Sequence, residues 1–145
     1  MLSHEFFMKE ALKEANKARE EGEVPIGAVI VANNMIIAKA HNQVELLKDP
    51  TAHAEILAIT SATNYLGSKY LEECIIYVTL EPCLMCASAL NWAKISKIVF
   101  AAEDPKNGFM KIGSSVLHPK TKMEYGVLNA ECLSIVQDFF KERRS

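Results

Sequence analysis

Four residues in two short stretches have the types and spacing needed for metal-assisted chemistry: His53 and Glu55 in His53-Ala54-Glu55, and Cys83 and Cys86 in Pro82-Cys83-Leu84-Met85-Cys86. Zinc favours nitrogen and sulfur donors, and a catalytic zinc keeps three protein ligands and one open position for water. His53, Cys83 and Cys86 supply such a ligand set. Zinc lowers the pKa of bound water towards ~7, so hydroxide becomes available at neutral pH. Addition of hydroxide to a ring carbon also needs a proton carrier, and Glu55 is free for that role. Each piece alone has a plainer reading. A lone Cys-x-x-Cys can be a redox pair or half of a structural zinc site. A lone histidine can be a satisfied core residue, and a first-turn glutamate can be an exposed charge. The conjunction favours a catalytic zinc site. Redox exchange leaves His53 and Glu55 without a purpose, and a structural site would need two further ligands from the widely spaced Cys74 and Cys132.

These residues must be positioned by elements, and the chain alternates element types throughout. Ser3 can cap a helix to about Glu21, with Phe7, Ala11, Ala15 and Ala18 on one face. Ala28 to Val31 and Met35 to Ala40 read as strands joined by an Asn33-Asn34 turn. Asp49-Pro50-Thr51 breaks the chain and is expected to cap a helix from about Ala52 to Leu66, stopped by Gly67. Cys74 to Leu80 reads as a buried strand, and Pro82 as the first position of a helix to about Lys94. Lys97 to Ala101 is a further strand. Residues 103–128 are mixed, with a short strand near Glu124 to Val127. Asn129 caps a last helix, Ala130 to Arg144, with Cys132, Ile135, Val136, Phe139 and Phe140 in its apolar stripe. Helices must cover both faces of the sheet. The expected fold is therefore α/β: a three-layer α/β/α sandwich around a central mixed sheet of about five strands. Both ligand segments fall at helix starts, where the positive dipole end lowers thiolate pKa values.

Composition sets the frame. The 145 residues fit one domain, residues 1–145, with 50% hydrophobic and 23% charged content. No apolar run approaches the ~18 residues of a membrane span. The N-terminal segment reads as an amphipathic helix rather than a signal sequence, so a cytoplasmic location is expected. Cys74 and Cys132 read as small core residues. Net charge is −2 but unevenly spread: residues 1–93 carry a balance of −5 and residues 94–145 one of +3. A basic C-terminal third suits phosphate contacts, and on charge alone it also suits a solvated surface.

The chain also resembles a known family. The resemblance is carried by Glu23-Val24-Pro25-Ile26-Gly27-Ala28-Val29, Asn42, the Asp49 to Glu55 segment, and Tyr77-Val78-Thr79-Leu80-Glu81-Pro82-Cys83-Leu84-Met85-Cys86. The stretch 99–108 and the tail Asp138 to Arg144 complete it. His-x-Glu with Pro-Cys-x-x-Cys marks the cytidine deaminase-like superfamily of zinc nucleobase deaminases. The Leu-Glu-Pro-Cys form, the 99–108 stretch and the Phe-Phe-x-x-Arg-Arg tail resemble the bacterial tRNA-specific adenosine deaminases, from about His4 to Arg144. The resemblance implies hydrolytic deamination of adenosine to inosine at the wobble position of the tRNA anticodon. One zinc per subunit would be held by His53, Cys83 and Cys86, with attack at purine C6 and Glu55 as proton shuttle. It further implies that Asn42 bonds the flipped base or its ribose, and that Ile26 and Ala54 line the base pocket, with the Ala54 backbone also placed to contact the base. Asp104 and Lys106 would contact flanking nucleotides. Phe140, Arg143 and Arg144 would reach the anticodon backbone or neighbouring bases. A homodimer acting on a tRNA anticodon stem-loop is the implied assembly.

The chain departs from the family pattern at Phe109-Met110-Lys111-Ile112-Gly113 and at Lys120-Thr121-Lys122-Met123-Glu124, and no RNA contacts are carried over to 109–124. Two other readings use the same residues. One is a deaminase of free guanine, cytosine or a nucleotide. The other is a zinc-stabilised RNA-binding module without catalysis, in which Glu55 has no function.

Overall fold

The computed structural model describes residues 2–144. Five strands form one mixed sheet in the order β2-β1-β3-β4-β5: β1 (Gly27–Ala32), β2 (Met35–His41), β3 (Cys74–Leu80), β4 (Lys97–Ala102) and β5 (Lys122–Tyr125). β1 runs antiparallel to β2 and β3, and β3, β4 and β5 run parallel. The hairpin turn follows from Asn33 and Asn34, which both adopt positive φ (51° and 64°), as a tight two-residue hairpin requires.

Side-chain alternation along the strands builds the two cores. Ala28, Ile30, Ile76, Val78, Ile98 and Phe100 face one side. There they meet Ala54, Ala58 and Ala62 of α3 (Ala54–Leu66), and Ala87 and Leu90 of α4 (Leu84–Trp92). Val29, Val31, Tyr77, Val99 and Ala101 face the other. They pack on Phe7, Met8 and Ala11 of α1 (His4–Glu20) and Cys132 of α5 (Asn129–Arg144). This is the expected three-layer arrangement. Gly27 has a steric reason: a Cβ there would lie 2.1 Å from the Ala11 carbonyl oxygen, so α1 rests directly on the sheet. No helix of the described residues is long and apolar enough to cross a membrane.

Several boundaries differ from the sequence expectation. Ser3 caps α1 as expected, accepting from the Phe6 N–H at 3.1 Å. The second long helix starts at Ala54, not Ala52. Asp49 Oδ1 takes both the N–H and the hydroxyl of Thr51 in its own turn, which holds 51–53 out of the helix. A short helix, α2 (Val44–Leu47), had no local signal. Pro82 precedes the cap of α4 rather than opening the helix: its carbonyl accepts from Phe109 N–H and the next residue, Cys83, bridges to Gly108. β5 lies two residues earlier than expected, ended by Gly126 and Leu128 at positive φ. Asn129 is the first residue of α5 rather than a residue before it. Cys74 and Cys132 are buried core residues, as expected.

The sheet polarity explains where the chemistry sits. The start of β1 and the ends of β2, β3 and β4 meet at one edge, with Gly27 N–H donating to Thr79 Oγ1 at 3.1 Å. Ile26, Asn42, Glu81 and Glu103 each lie one residue beyond a strand at that edge.

Candidate active site

His53 and Cys83 are the N-cap residues of α3 and α4, with extended backbones (ψ 153° and 172°) and no side-chain cap bond. Each carbonyl begins its helix, bonding Leu57 and Ala87, while each side chain is left free to turn towards the other. Cys86, fully buried, follows one turn into α4. His53 Nδ1 lies 3.7 Å from Cys83 Sγ and 3.6 Å from Cys86 Sγ. A tetrahedral zinc with N and S ligands at ~2.1 and ~2.3 Å has N-to-S edges of about 3.6 Å. The separations therefore match edges of a metal tetrahedron, and the donor set of one nitrogen and two sulfurs is a zinc set. Among the described residues, these three form the cluster suited to a metal, with ligand atoms within 4.8 Å of one another.

The electrostatics agree. The Cys86 thiol and His53 beside it pull the Cys83 thiol down to about 4. His53 is raised, chiefly by its bond with Cys83. The bond to Cys83, and then burial, drive the Cys86 thiol the other way, upward. Two helix N-termini add positive potential here. The site thus favours a negative sulfur at Cys83 even before a cation is added.

Glu55 sits in the first turn of α3, only 4% exposed, and reaches the same cavity without belonging to the ligand cluster. Burial pushes its carboxyl up to about 7, against the pull of its own N–H and of His53. A carboxyl of that pKa both takes and gives protons near neutrality.

The cavity is an open groove of about 1300 Å³. His53, Glu55 and Cys83 lie at one point of its lining. Ile26 and Asn42 come from the β1 and β2 ends, Asp104 and Lys106 from the loop after β4, and Phe140, Arg143 and Arg144 from α5. Of the expected substrate residues only Ala54 is set apart. Its side chain is fully buried in the core, and its N–H is donated to Asn42 Oδ1 at 2.7 Å. That bond satisfies an orphan donor at the start of α3 which His53 leaves uncapped. Asn42 therefore holds the His53–Glu55 turn in place, and its amide NH2 remains the group it can offer a ligand. Arg143 is likewise engaged: it donates to the Gly22 carbonyl at 2.7 Å and lies over the Phe139 ring, which is core, while Phe140 is exposed.

Asn42→Ala is expected to cost about 1–3 kcal/mol of stability through the unsatisfied Ala54 N–H. A urea midpoint equal to that of the unaltered protein would remove this role.

Two buried carboxylates at the groove were not singled out from sequence. Glu23, 2% exposed, accepts from Glu45 and Leu46 N–H at 3.0 and 2.9 Å and so caps α2 from a distance. Glu81, 6% exposed, accepts from Asp104 and Met110 N–H, both at 2.9 Å. The one available signal, for Glu81 alone, was an acidic residue beside proline at a buried strand terminus. The 109–124 segment contributes Phe109 to the core against Phe100, and leaves Ile112 exposed.

The profile of the cytidine and deoxycytidylate deaminase zinc-binding region matches residues 1–102. A tRNA-specific adenosine deaminase of Aquifex aeolicus is 49% identical, covering 99% of this chain and 98% of that protein. One from Bacillus subtilis is 46% identical, covering 99% and 92%. A structure from studies of A-to-I editing by tRNA:A34 deaminases at the wobble position superposes with a TM-score of 0.84 at 40% identity, over 90% of this chain and 98% of that one. Bacillus subtilis guanine deaminase superposes with a TM-score of 0.68 at 43% identity, over 70% and 66%.

Proposed function

Since the chain belongs to the tRNA-specific adenosine deaminase family, with the zinc-binding region of the cytidine and deoxycytidylate deaminases, we propose that it converts adenosine to inosine at the wobble position of a tRNA anticodon. The observation that carries this reading is one groove lined by His53 and Cys83, with Cys86 buried beside them in the donor cluster, by the unliganded Glu55 and by the basic end of α5. Its volume exceeds the ~300–1,000 Å³ of small-molecule pockets, which favours a base presented on a polymer over a free base. Sequence-specific RNA recognition commonly takes unstacked loop bases onto aromatic and Arg planes, and Phe140, Arg143 and Arg144 are of those types.

His53, Cys83 and Cys86 would hold one zinc per subunit, which would supply a water acidic enough to yield hydroxide near neutral pH. As the water oxygen adds to C6, Glu55 takes one of its protons and delivers it to N1 of the purine. Glu55 then carries the second proton from that oxygen to the amino group, and the C6–N bond breaks to release ammonia. Water and adenosine thus give inosine and ammonia. Asn42 orients the base or ribose through its NH2, and Ile26 packs against the base. Asp104 and Lys106 hold flanking nucleotides, and the α5 residues bind the RNA backbone or stack on neighbouring bases. The protein works as a homodimer in the cytoplasm.

The test offers zinc-loaded protein an anticodon stem-loop with adenosine at the wobble position, and separately free guanine, cytosine, adenosine and cytidine. Inosine in the stem-loop alone is expected. Deamination of a free base alone would transfer the chemistry to a nucleobase deaminase, the activity named for the Bacillus subtilis neighbour.

A further inference from the structure

Glu81 links the two halves of the groove. It follows β3 directly, and its own N–H donates to Ala102 at the end of β4 at 2.8 Å. On one side it precedes Pro82 and the ligand Cys83. On the other, its two carboxylate oxygens hold the loop after β4: Oε1 accepts from Asp104 and Oε2 from Met110. The loop closes round this carboxylate. Gly108 N–H bonds the Asp104 carbonyl, Phe109 N–H bonds the Pro82 carbonyl, and Gly108 pairs with Cys83. Gly108 approaches so closely that a Cβ would stand 2.0 Å from Glu81 Oε2. No basic side chain among the described residues forms an ion pair with Glu81, so its buried charge is answered by backbone N–H groups alone.

We propose that Glu81 is a positioning residue for RNA binding: it sets the loop carrying Asp104 and Lys106 at a fixed distance from the Cys83 end of the site. This rests on the RNA-editing reading above. A carboxylate suits the task because it accepts at both oxygens, whereas a glutamine of equal length presents one oxygen and one NH2 to two N–H donors. The Glu81→Gln variant therefore breaks one arm of the clasp while preserving size and burial.

Zinc-loaded Glu81→Gln should retain full metal content and saturating turnover within about threefold of the unaltered protein. KM for the stem-loop should rise by about tenfold, the scale of one lost hydrogen bond to a charged group. In a Glu55→Ala background, the stem-loop Kd should rise equally. Amide exchange at Asp104 and Met110 should accelerate with no RNA present. Gly108→Ala, which evicts the carboxylate from the other side, should reproduce the KM effect, and the double variant should be no worse than either single one. Unchanged Kd or amide exchange in Glu81→Gln, a defect traced wholly to metal loss, or additive effects in the double variant would each overturn the proposal. If the unaltered protein fails to edit the stem-loop, the functional reading falls instead. Amide exchange at Asp104 and Met110 needs no RNA, so unchanged exchange in Glu81→Gln would reject the positioning role in that case as well.

Discussion

Glu55→Ala is expected to leave metal content unchanged and to lower deamination of the stem-loop by about 10²- to 10⁴-fold, the usual contribution of a placed acid–base group. The reasoning is geometric first. Glu55 is buried at the lining of the groove but stands outside the ligand cluster, so its removal takes away a proton carrier and not a donor to the metal. The environment then tunes it, because burial brings its carboxyl to about 7. Ionising such a group inside the fold is costly, so the isosteric Glu55→Gln should be at least as stable as the unaltered protein while equally inactive, a trade of stability against activity common in catalytic sites. Zinc by mass spectrometry, single-turnover rates and urea midpoints read the three quantities separately. Retained turnover would dismiss Glu55 from the mechanism, and loss of zinc would recast it as part of metal binding.

Cys86→Ala should abolish zinc retention through gel filtration, and with it all turnover. Cys86 is fully buried, and its sulfur is one of the two lying 3.6–3.7 Å from His53 Nδ1. Two remaining donors make a poor site for an ion that wants four neighbours, one of them water. Ligand binding to the native state stabilises by about 4 kcal/mol at a thousand-fold excess over Kd. Zinc should therefore raise the melting temperature of the unaltered protein and leave that of Cys86→Ala unmoved. Cys74→Ala and Cys132→Ala serve as controls. Both cysteines are buried in the two cores, away from the ligand cluster, so these variants should lose some stability and keep their zinc. Zinc content near one per chain in Cys86→Ala would sink the ligand assignment.

Legibility in the sequence depended on how local each signal was. Strands of alternating or continuous apolar residues were readable, and β3 starts and stops where its Cys74 to Leu80 run does. The Asn33-Asn34 turn and the α1 stripe were local as well. Helix starts were misplaced where a partner outside the helix held the residues before it. The Asp49–Thr51 turn is local, but it keeps 51–53 extended further than its sequence suggested; Pro82 is held by Phe109 and Ala54 by Asn42, and those two bonds lie outside a window of a few residues. The metal donors were legible because coordination chemistry restricts residue type and spacing together. Glu23 and Glu81 were not, because a carboxylate that organises backbone N–H groups looks in sequence like any surface acid. The role first given to Ala54 illustrates the same limit. Resemblance offered it to the base pocket, whereas the fold buries its side chain and spends its N–H on Asn42 Oδ1.

The polarity of the sheet has a practical corollary for anyone attaching a reporter to this protein. All the strand termini that feed the groove lie at one edge, and the opposite edge carries the Asn33-Asn34 turn and the exposed pair Glu72 and Glu73. Strands of six or seven residues separate the two by roughly 20 Å. A fluorophore or surface tether at Asn33 or Glu72 would therefore sit at the far end of the strands, leaving the groove open to solution during immobilised binding measurements.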